Sequence, residues 1–116
     1  MLPKLFRVKK KKDFEKIYKF GKCVASKYLI MYYVENNLSF QRSAFSISKK
    51  VSKKAVCRNK VKRRLSSIFY KKISFIRDSF DFLFIAKKDI LNLSYKELEN
   101  NINMLIKKAG LEKNSC

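Results

Sequence analysis

The segment that most constrains the fold of this chain is residues 49–64, a dense run of cations that also contains apolar side chains. Nine of these sixteen residues are Lys or Arg and none is acidic. Like charges so close together repel one another, so the run lowers the stability of the fold unless a bound polyanion neutralises the charges. The run also contains apolar residues, which must pack on a core: Val51, Ala55, Val56 and Val61, followed directly by Leu65. It therefore predicts an ordered element with one packed side and one side for a polyanion, foremost nucleic acid.

Composition favours one small domain with acidic partners. The chain has 116 residues, 47% of them hydrophobic, with ten Phe and a net charge of +20. That length and apolar content predict a single domain over residues 1–116 with a hydrophobic core. A charge so large indicates the partners rather than the fold. The absence of a signal peptide, a membrane span or paired cysteine spacing predicts a cytoplasmic protein with free thiols and no membrane association.

Hydrophobic periodicity predicts seven elements along the chain. Two helices are expected at the ends, over 13–20 with Asp13 as N-cap and over 95–109 with the capping box Ser94 and Glu97. Gly21 and Gly110 follow these helices at C′ positions. Between them we expect a short edge strand at 24–25, strands over 28–35 and 43–48 paired antiparallel, a helix over 55–71 and a buried central strand over 80–86. This order predicts an α+β sandwich with helices packed on a mixed sheet.

Two surfaces are candidates for RNA binding. On a helical wheel, one side of the 55–71 helix carries cations and polar groups, away from the apolar stripe: Arg58, Asn59, Lys62, Arg63 and Ser66. This side can follow a phosphate backbone, and the alternative is a solvated basic face without a ligand. The second surface mixes aromatic rings with the cations of residues 7–12 and suits unpaired bases. The alternative interpretation of this second surface is an aromatic core without a ligand. The helix over 95–109 is expected to pack on the sheet and to bind nothing.

Intrinsic catalysis has little support in the sequence. The chain has no histidine, and its nine acidic residues are scattered, without the close pair that a two-metal nuclease needs. It also lacks a glycine-rich phosphate loop and a nucleophile-elbow motif. We therefore predict no catalytic residue and no metal site in the chain. Two other classes stay open: a ribosomal or general RNA-binding protein, and a self-contained nuclease.

Residues 46–64, SISKKVSKKAVCRNKVKRR, resemble the signature of the bacterial ribonuclease P protein component. That signature is a strand ending in Ser-Lys-Lys, a short basic loop, and Arg-Asn-basic-apolar-Lys-Arg opening a helix. The similarity extends over nearly the whole chain, from Lys-Lys before Asp13 and Phe14 to the closing helix. The resemblance implies the order α-β-β-β-α-β-α as a two-layer sandwich, with a left-handed βαβ crossover that nothing else in the sequence predicts.

The resemblance also implies a function. A protein of this family binds the catalytic RNA of ribonuclease P and the 5′ leader of precursor tRNA, and the RNA with its magnesium hydrolyses the phosphodiester. The protein itself is expected to bind no cofactor, to need no obligate protein partner and to assist removal of the leader. The catalytic-RNA contacts implied by position are Arg58, Asn59, Lys60, Lys62 and Arg63, and with them the basic loop residues Lys49, Lys50, Lys53 and Lys54. The leader contacts implied in the same way are Lys10, Phe14, Tyr18 and Tyr32.

Two positions depart from the family pattern. Ser66 stands where many members have a further basic residue, and Arg64 points elsewhere on the helical wheel. The loop at Ser52 and Lys53 lacks the glycine that many members place there. Some members have a non-glycine loop of this length, so the departure is variation within the family pattern.

Overall fold

The computed structural model describes residues 6–112, which are organised around a four-stranded mixed sheet. The strands lie in the order β1-β2-β4-β3. β1 and β2 are antiparallel, β2 and β4 are antiparallel, and β3 runs parallel to β4. The strand bounds are Lys22–Ala25 for β1, Leu29–Glu35 for β2, Arg42–Ser46 for β3 and Phe80–Ala86 for β4.

The centre of the sheet is occupied by β4, as its apolar run predicts. The short edge strand β1 is confirmed as well. The predicted antiparallel pairing of the strands over 28–35 and 43–48 is wrong, because β4 lies between β2 and β3. The physical reason is burial: β4 carries Phe82 and Phe84 on one face and Leu83 on the other, all nearly inaccessible to solvent. A strand that apolar on both faces belongs between two others and not at an edge.

The three α-helices within residues 6–112 cover the two faces of the sheet unequally. Their bounds are Lys11–Phe20 for α1, Ala55–Lys71 for α2 and Tyr95–Lys108 for α3, with short 3₁₀ turns at Ile73–Phe75 and Lys88–Asn92. The order of helices and strands is the expected α-β-β-β-α-β-α. The crossover from β3 through α2 to β4 joins neighbouring parallel strands, and its left-handed sense stays a prediction. None of the described residues forms a helix long and apolar enough to cross a membrane.

The main core lies between α2, α3 and one face of the sheet. Phe45 and Phe84 stack there at 5.3 Å between ring centroids, and Phe69 from α2 meets Phe84 edge-on at 5.7 Å. Each fully buried Phe contributes about 1.5–3 kcal/mol relative to an exposed one. The apolar stripe of α2 is part of this core, with Leu65 and Ile68 fully buried. The helix is therefore fixed on one side and free to present its cations on the other.

Among the described residues, α1 is the one helix on the opposite face of the sheet, together with Val8 of the preceding segment. Ile17 of α1 is fully buried against Leu83 and Val8 in a smaller apolar cluster. Beyond this contact, Tyr32, Ala44 and Ile85 are only half-buried. Because one short helix cannot cover a four-stranded face, a cleft remains beside α1.

Both ends of α1 differ from the prediction: the N-cap residue is a different one, and Gly21 has a different backbone conformation. Asp13 is not the N-cap, because the helix begins at Lys11 and Lys10 precedes it without a side-chain cap bond. Gly21 does not adopt the left-handed conformation, since its φ is −75°. Glycine is needed there for space: a Cβ at Gly21 would lie 2.2 Å from the carbonyl oxygen of Ile17.

Both ends of α3 agree with the prediction. Ser94 Oγ accepts a hydrogen bond from the Glu97 backbone N–H at 3.2 Å, and Glu97 Oε1 accepts one from the Ser94 N–H at 3.0 Å. At the other end Gly110 has a φ of +73°, and the Leu111 N–H donates to the Ile106 carbonyl at 3.0 Å. These are the bonds of a Schellman motif, which favours glycine at C′.

A buried ionic network fastens α1 to the sheet. Arg42 Nη2 lies 2.6 Å from Asp81 Oδ2, its Nε donates to Asp81 Oδ1 at 2.9 Å, and its Nη1 lies 3.3 Å from Asp13 Oδ2. Asn36 Nδ2 donates to Asp81 Oδ1 at 2.8 Å. Hydrogen bonding to Asp81 raises the pKa of Arg42 above its usual value. Asp13 therefore serves as a tie between α1 and β3 instead of as a cap.

Candidate nucleic-acid interface

The outer face of α2 presents most of the cations that the sequence singles out. Asn59, Lys60, Lys62 and Arg63 are exposed, and Val61 between them is buried. Because the buried stripe fixes the rotation of the helix, these side chains project together from one rigid element. Fixed cations spaced along a helix match the regular charges of a phosphate backbone.

Arg58 has a second connection besides the helix surface. It is half-buried, and its Nη1 donates to the carbonyl oxygen of Ser52 at 2.9 Å. Ser52 Oγ in turn accepts from the Lys54 N–H at 3.2 Å. Ser79 is the only described non-glycine residue with a positive φ, so the residues of the Ser52 loop all have a negative φ. The loop therefore turns without the glycine that many family members place there. Arg58 therefore ties this loop to α2 as well as offering charge.

The start of α2 is suited to an anion. Its N-cap, Lys54, makes no side-chain cap bond, and the first turn contains no acidic residue. The first backbone N–H groups of a helix lack partners within the helix, and the helix dipole favours negative charge there. The predicted loop cations around this end are all exposed: Lys49, Lys50, Lys53 and Lys54. The loop and the helix start thus form one electropositive surface.

Ser66 does not lie on the exposed face, contrary to the helical-wheel prediction. It is 4% exposed, and its Oγ donates to the Lys62 carbonyl at 2.8 Å. It lines a groove together with Ser43 of β3, so this flank of α2 faces the sheet edge and not solvent. A long basic side chain is therefore missing at a position that borders a cavity.

The cleft beside α1 carries the predicted aromatic residues. Tyr18 is 56% exposed, and its ring lies edge-on to that of Tyr32 at 5.4 Å between centroids. Tyr32 pairs with Leu83 in the register of the sheet and so shares the face that α1 covers. Phe14, one turn before Tyr18, is half-buried on the same helix. Exposed ring faces in a cleft are suited to stacking unpaired bases.

A groove of about 450 Å³ joins the aromatic cleft to α2. Phe14 of α1 lines one side and Lys62 and Ser66 of α2 line the other, with β3 between them. Arg7 and Lys9 also line it. The groove therefore borders both predicted surfaces, at Phe14 and at Lys62, whereas Tyr18 and Tyr32 do not line it.

The N-terminal segment positions two of the cations that the sequence predicts beside the aromatic surface, Arg7 and Lys9. Arg7 bridges to Ser43 in parallel, and the Val8 N–H donates to the Ser43 carbonyl at 3.0 Å. This places Arg7 and Lys9 in the groove, whereas the predicted Lys10 is exposed just before α1 and does not line the groove. No local sequence signal reports a bridge between residues 36 positions apart.

The described residues contain no group of three or more His, Cys, Asp or Glu that could hold a metal ion. Asp13 and Asp81 are both engaged in ion pairs with Arg42. The arrangement of this region is one of cations, rings and hydroxyls, which can bind and orient a nucleic acid.

A family model and two sequence relatives match almost the full length of this chain and agree on one family. The family model described as Ribonuclease P matches residues 2–110. The ribonuclease P protein component of Thermoanaerobacter sp. (strain X514) is 40% identical over 111 residues, covering 96% of this chain and 95% of that protein. The protein of the same name from Streptococcus agalactiae serotype III is 37% identical, covering 95% of this chain and 99% of that protein.

Solved structures agree with the sequence relatives. The RNase P protein of Staphylococcus aureus superposes with a TM-score of 0.85 at 31% identity, covering 93% of this chain and 98% of that one. The RNase P protein of Thermotoga maritima gives a TM-score of 0.80 at 25% identity, covering 88% and 96%. Sequence and fold therefore agree over the same residues, and the chain belongs to the ribonuclease P protein family.

Proposed function

We propose that the basic face of α2 and its loop bind the catalytic RNA of ribonuclease P, and that the cleft beside α1 holds the 5′ leader of precursor tRNA. The observation that carries this proposal is the groove of about 450 Å³ that Phe14 of α1 and Lys62 of α2 both line. One protein surface can thereby contact an RNA backbone and an unpaired strand at the same time.

As a member of the family, the chain is a subunit of an endoribonuclease in which the RNA performs catalysis. The contribution of the protein is binding and orientation, which convert an encounter between substrate and ribozyme into a positioned complex. Its cations also offset repulsion between two polyanions, substrate and catalytic RNA. Both effects strengthen substrate binding most when magnesium is scarce.

The proposal assigns roles to each predicted residue. The catalytic-RNA contacts are Lys49, Lys50, Lys53, Lys54, Arg58, Asn59, Lys60, Lys62 and Arg63. The leader contacts are Lys10, Phe14, Tyr18 and Tyr32. Magnesium enters the holoenzyme through the RNA. The chain acts as one RNA-binding domain in the cytoplasm and needs no obligate protein partner.

Reconstitution tests the proposal directly. Leader-bearing precursor tRNA is incubated at low magnesium with bacterial ribonuclease P RNA, with this protein, and with both. We expect cleavage at the leader junction only when both are present. Tight RNA binding without stimulation would instead favour a general RNA-binding protein, and cleavage by the protein alone would show that the chain carries catalysis itself.

Phe14→Ala is predicted to weaken binding of leader-bearing precursor by about tenfold, because stacking of one base on a ring contributes about 1–3 kcal/mol. Mature tRNA, which has no leader, should bind with unchanged affinity. Phe20→Ala is the matched control on the same helix, since Phe20 is 67% exposed and does not line the groove. Equal losses for precursor and mature tRNA would show damage to α1 rather than loss of a leader contact.

A further inference from the structure

A separate cavity lies beyond the end of α3, on the sheet face opposite the cleft beside α1. It measures about 440 Å³, and the strand residues that line it include Lys22 of β1, Tyr33 of β2 and Phe80 of β4. Tyr33 pairs with Phe82 in the sheet register, so this part of the lining shares the face on which α2 and α3 pack. Because α3 ends at Lys108, the strand ends beyond it are only partly covered, and Tyr33 and Phe80 are half-buried. We call this cavity the α3-end pocket.

Three aromatic rings line the α3-end pocket. Tyr33 and Phe80 lie 6.3 Å apart between ring centroids at an interplanar angle of 55°, and Phe20, the last residue of α1, adds a third ring. Phe20 is 67% exposed, and the Lys19 ammonium lies 5.5 Å from its centroid. One exposed ring is ordinary on a protein surface. Several rings around one cavity, with cations beside them, provide the faces on which an unpaired base stacks.

The charged side chains of the pocket favour an anion that also carries hydrogen-bond donors. The Arg77 guanidinium lies 6.0 Å from the centroid of the Phe80 ring, and the Arg77 backbone N–H donates to the Leu111 carbonyl at 2.8 Å. Lys22 and Arg77 are exposed, and neither forms an ion pair with another described residue. Both cations are therefore available to a phosphate. Glu35 also lines the pocket and can accept a hydrogen bond from a base amino group or a ribose hydroxyl.

The size of the pocket agrees with this chemistry. A volume of about 440 Å³ lies within the range of about 300–1,000 Å³ that is usual for pockets that hold small molecules. Rings, cations and one carboxylate around such a space match the base, the phosphate and the polar edge of one nucleotide. The net charge of +20 attracts a polyanion to the whole protein. These observations together favour a nucleotide that is part of an RNA.

We propose that the α3-end pocket binds one unpaired nucleotide of the catalytic RNA. Phe20 packs on the base, and Lys22 and Arg77 hold the adjoining phosphates. The catalytic RNA is the source because the pocket lies on the α2 side of the sheet, whereas Tyr18 and Tyr32 of the leader cleft lie on the other side. The inference rests on the proposed function, and it adds a contact site for the catalytic RNA away from the basic face of α2.

Phe20→Ala should weaken binding of the catalytic RNA, in the absence of any tRNA, by about tenfold. The Tm should be unchanged, because the ring is largely exposed. Phe20→Tyr keeps a ring at this position and should restore most of the affinity. Phe75→Ala is the matched control, since Phe75 is 66% exposed and does not line the pocket. The preference of the holoenzyme for precursor over mature tRNA should be the same in Phe20→Ala as in the wild type, the property for which this variant is the control of Phe14→Ala.

The two cations are tested by the salt dependence of binding. Lys22→Ala combined with Arg77→Ala should lower the magnitude of the slope of log K against log salt by about one to two units. Lys27→Ala combined with Lys88→Ala removes the same charge from exposed positions outside the pocket, and it should leave the slope nearly unchanged. Acylation of RNA 2′-hydroxyls reports unpaired nucleotides, and it should show one nucleotide of the catalytic RNA that the wild type protects and Phe20→Ala does not.

Wild-type affinity in Phe20→Ala, or no nucleotide whose protection depends on Phe20, would overturn the proposal. A loss confined to leader-bearing precursor would overturn it in favour of a leader contact. An equal loss in Phe75→Ala would also overturn it, because exposed rings would then act without regard to position. Stimulation of cleavage by the wild-type protein is measured in parallel, so failure of the proposed function itself is recognised separately.

Discussion

Replacing Lys60, Lys62 and Arg63 together by Ala should weaken binding to the catalytic RNA by about 100-fold or more near 0.1 M salt. Each cation that neutralises a phosphate releases counterions and contributes about 0.9 to the slope of log K against log salt. The magnitude of that slope should therefore fall by about two to three units. Binding is measured by titration at several salt concentrations with the protein as the added component.

The triple variant is expected to keep its fold. All three side chains are exposed, and the helix is held by the buried residues Val61, Leu65 and Ile68. Removing like charges from one face should relieve repulsion in the free protein rather than destabilise it. A loss of affinity accompanied by an unchanged or higher Tm therefore reports lost phosphate contacts.

A control variant removes the same charge elsewhere. Lys96, Lys107 and Lys108 are exposed on α3 and are not among the predicted RNA contacts. Their replacement by Ala should reduce affinity only through the general field, by much less than the α2 variant. If both triple variants lose equal affinity and slope, α2 is not the preferred binding face and the assignment of the catalytic-RNA contacts is wrong.

Local signals predicted the elements that carry the interface. The bounds of α2 follow from the apolar stripe ending in Ile68, and the start of α3 follows from the capping box at Ser94. The strand β4 is equally evident from its continuous apolar run. In each case the deciding interactions are between residues close together in the chain, or depend on burial alone, so the sequence contains enough information.

Non-local contacts account for what the sequence did not predict. The pairing of β3 with β4 depends on residues about forty positions apart. Asp13 is a residue type that favours an N-cap, but its carboxylate pairs with Arg42. The hydrophobic periodicity of neither segment predicts this ion pair. Ser66 looks exposed on an isolated helix and is buried only because the edge strand β3 lies beside it. The groove between the two RNA surfaces arises from these contacts together.

Arg42→Ala should be among the most destabilising single substitutions in the protein, lowering the free energy of unfolding by about 3 kcal/mol. The Asp81 side chain is 3% exposed, and Arg42 makes two hydrogen bonds to it. Breaking a buried pair by removing one partner costs about 3–5 kcal/mol, because a charge is left buried without compensation. The lower end applies here because the Arg42 side chain is 19% exposed. Urea unfolding monitored by circular dichroism measures the change.

A double-variant cycle identifies the cause of that loss. Adding Asp81→Asn to Arg42→Ala removes the uncompensated charge and should recover part of the lost stability. Asp13→Asn alone should cost far less, because its side chain is 25% exposed and its contact with Arg42 is longer, 3.3 Å. If Arg42→Ala costs under about 1 kcal/mol, or if Asp81→Asn recovers nothing, an uncompensated charge on Asp81 is not the cause of the loss. The contribution of α1 is read from Asp13→Asn, and the rest of its attachment depends on apolar contacts, chiefly that of Ile17 with Leu83.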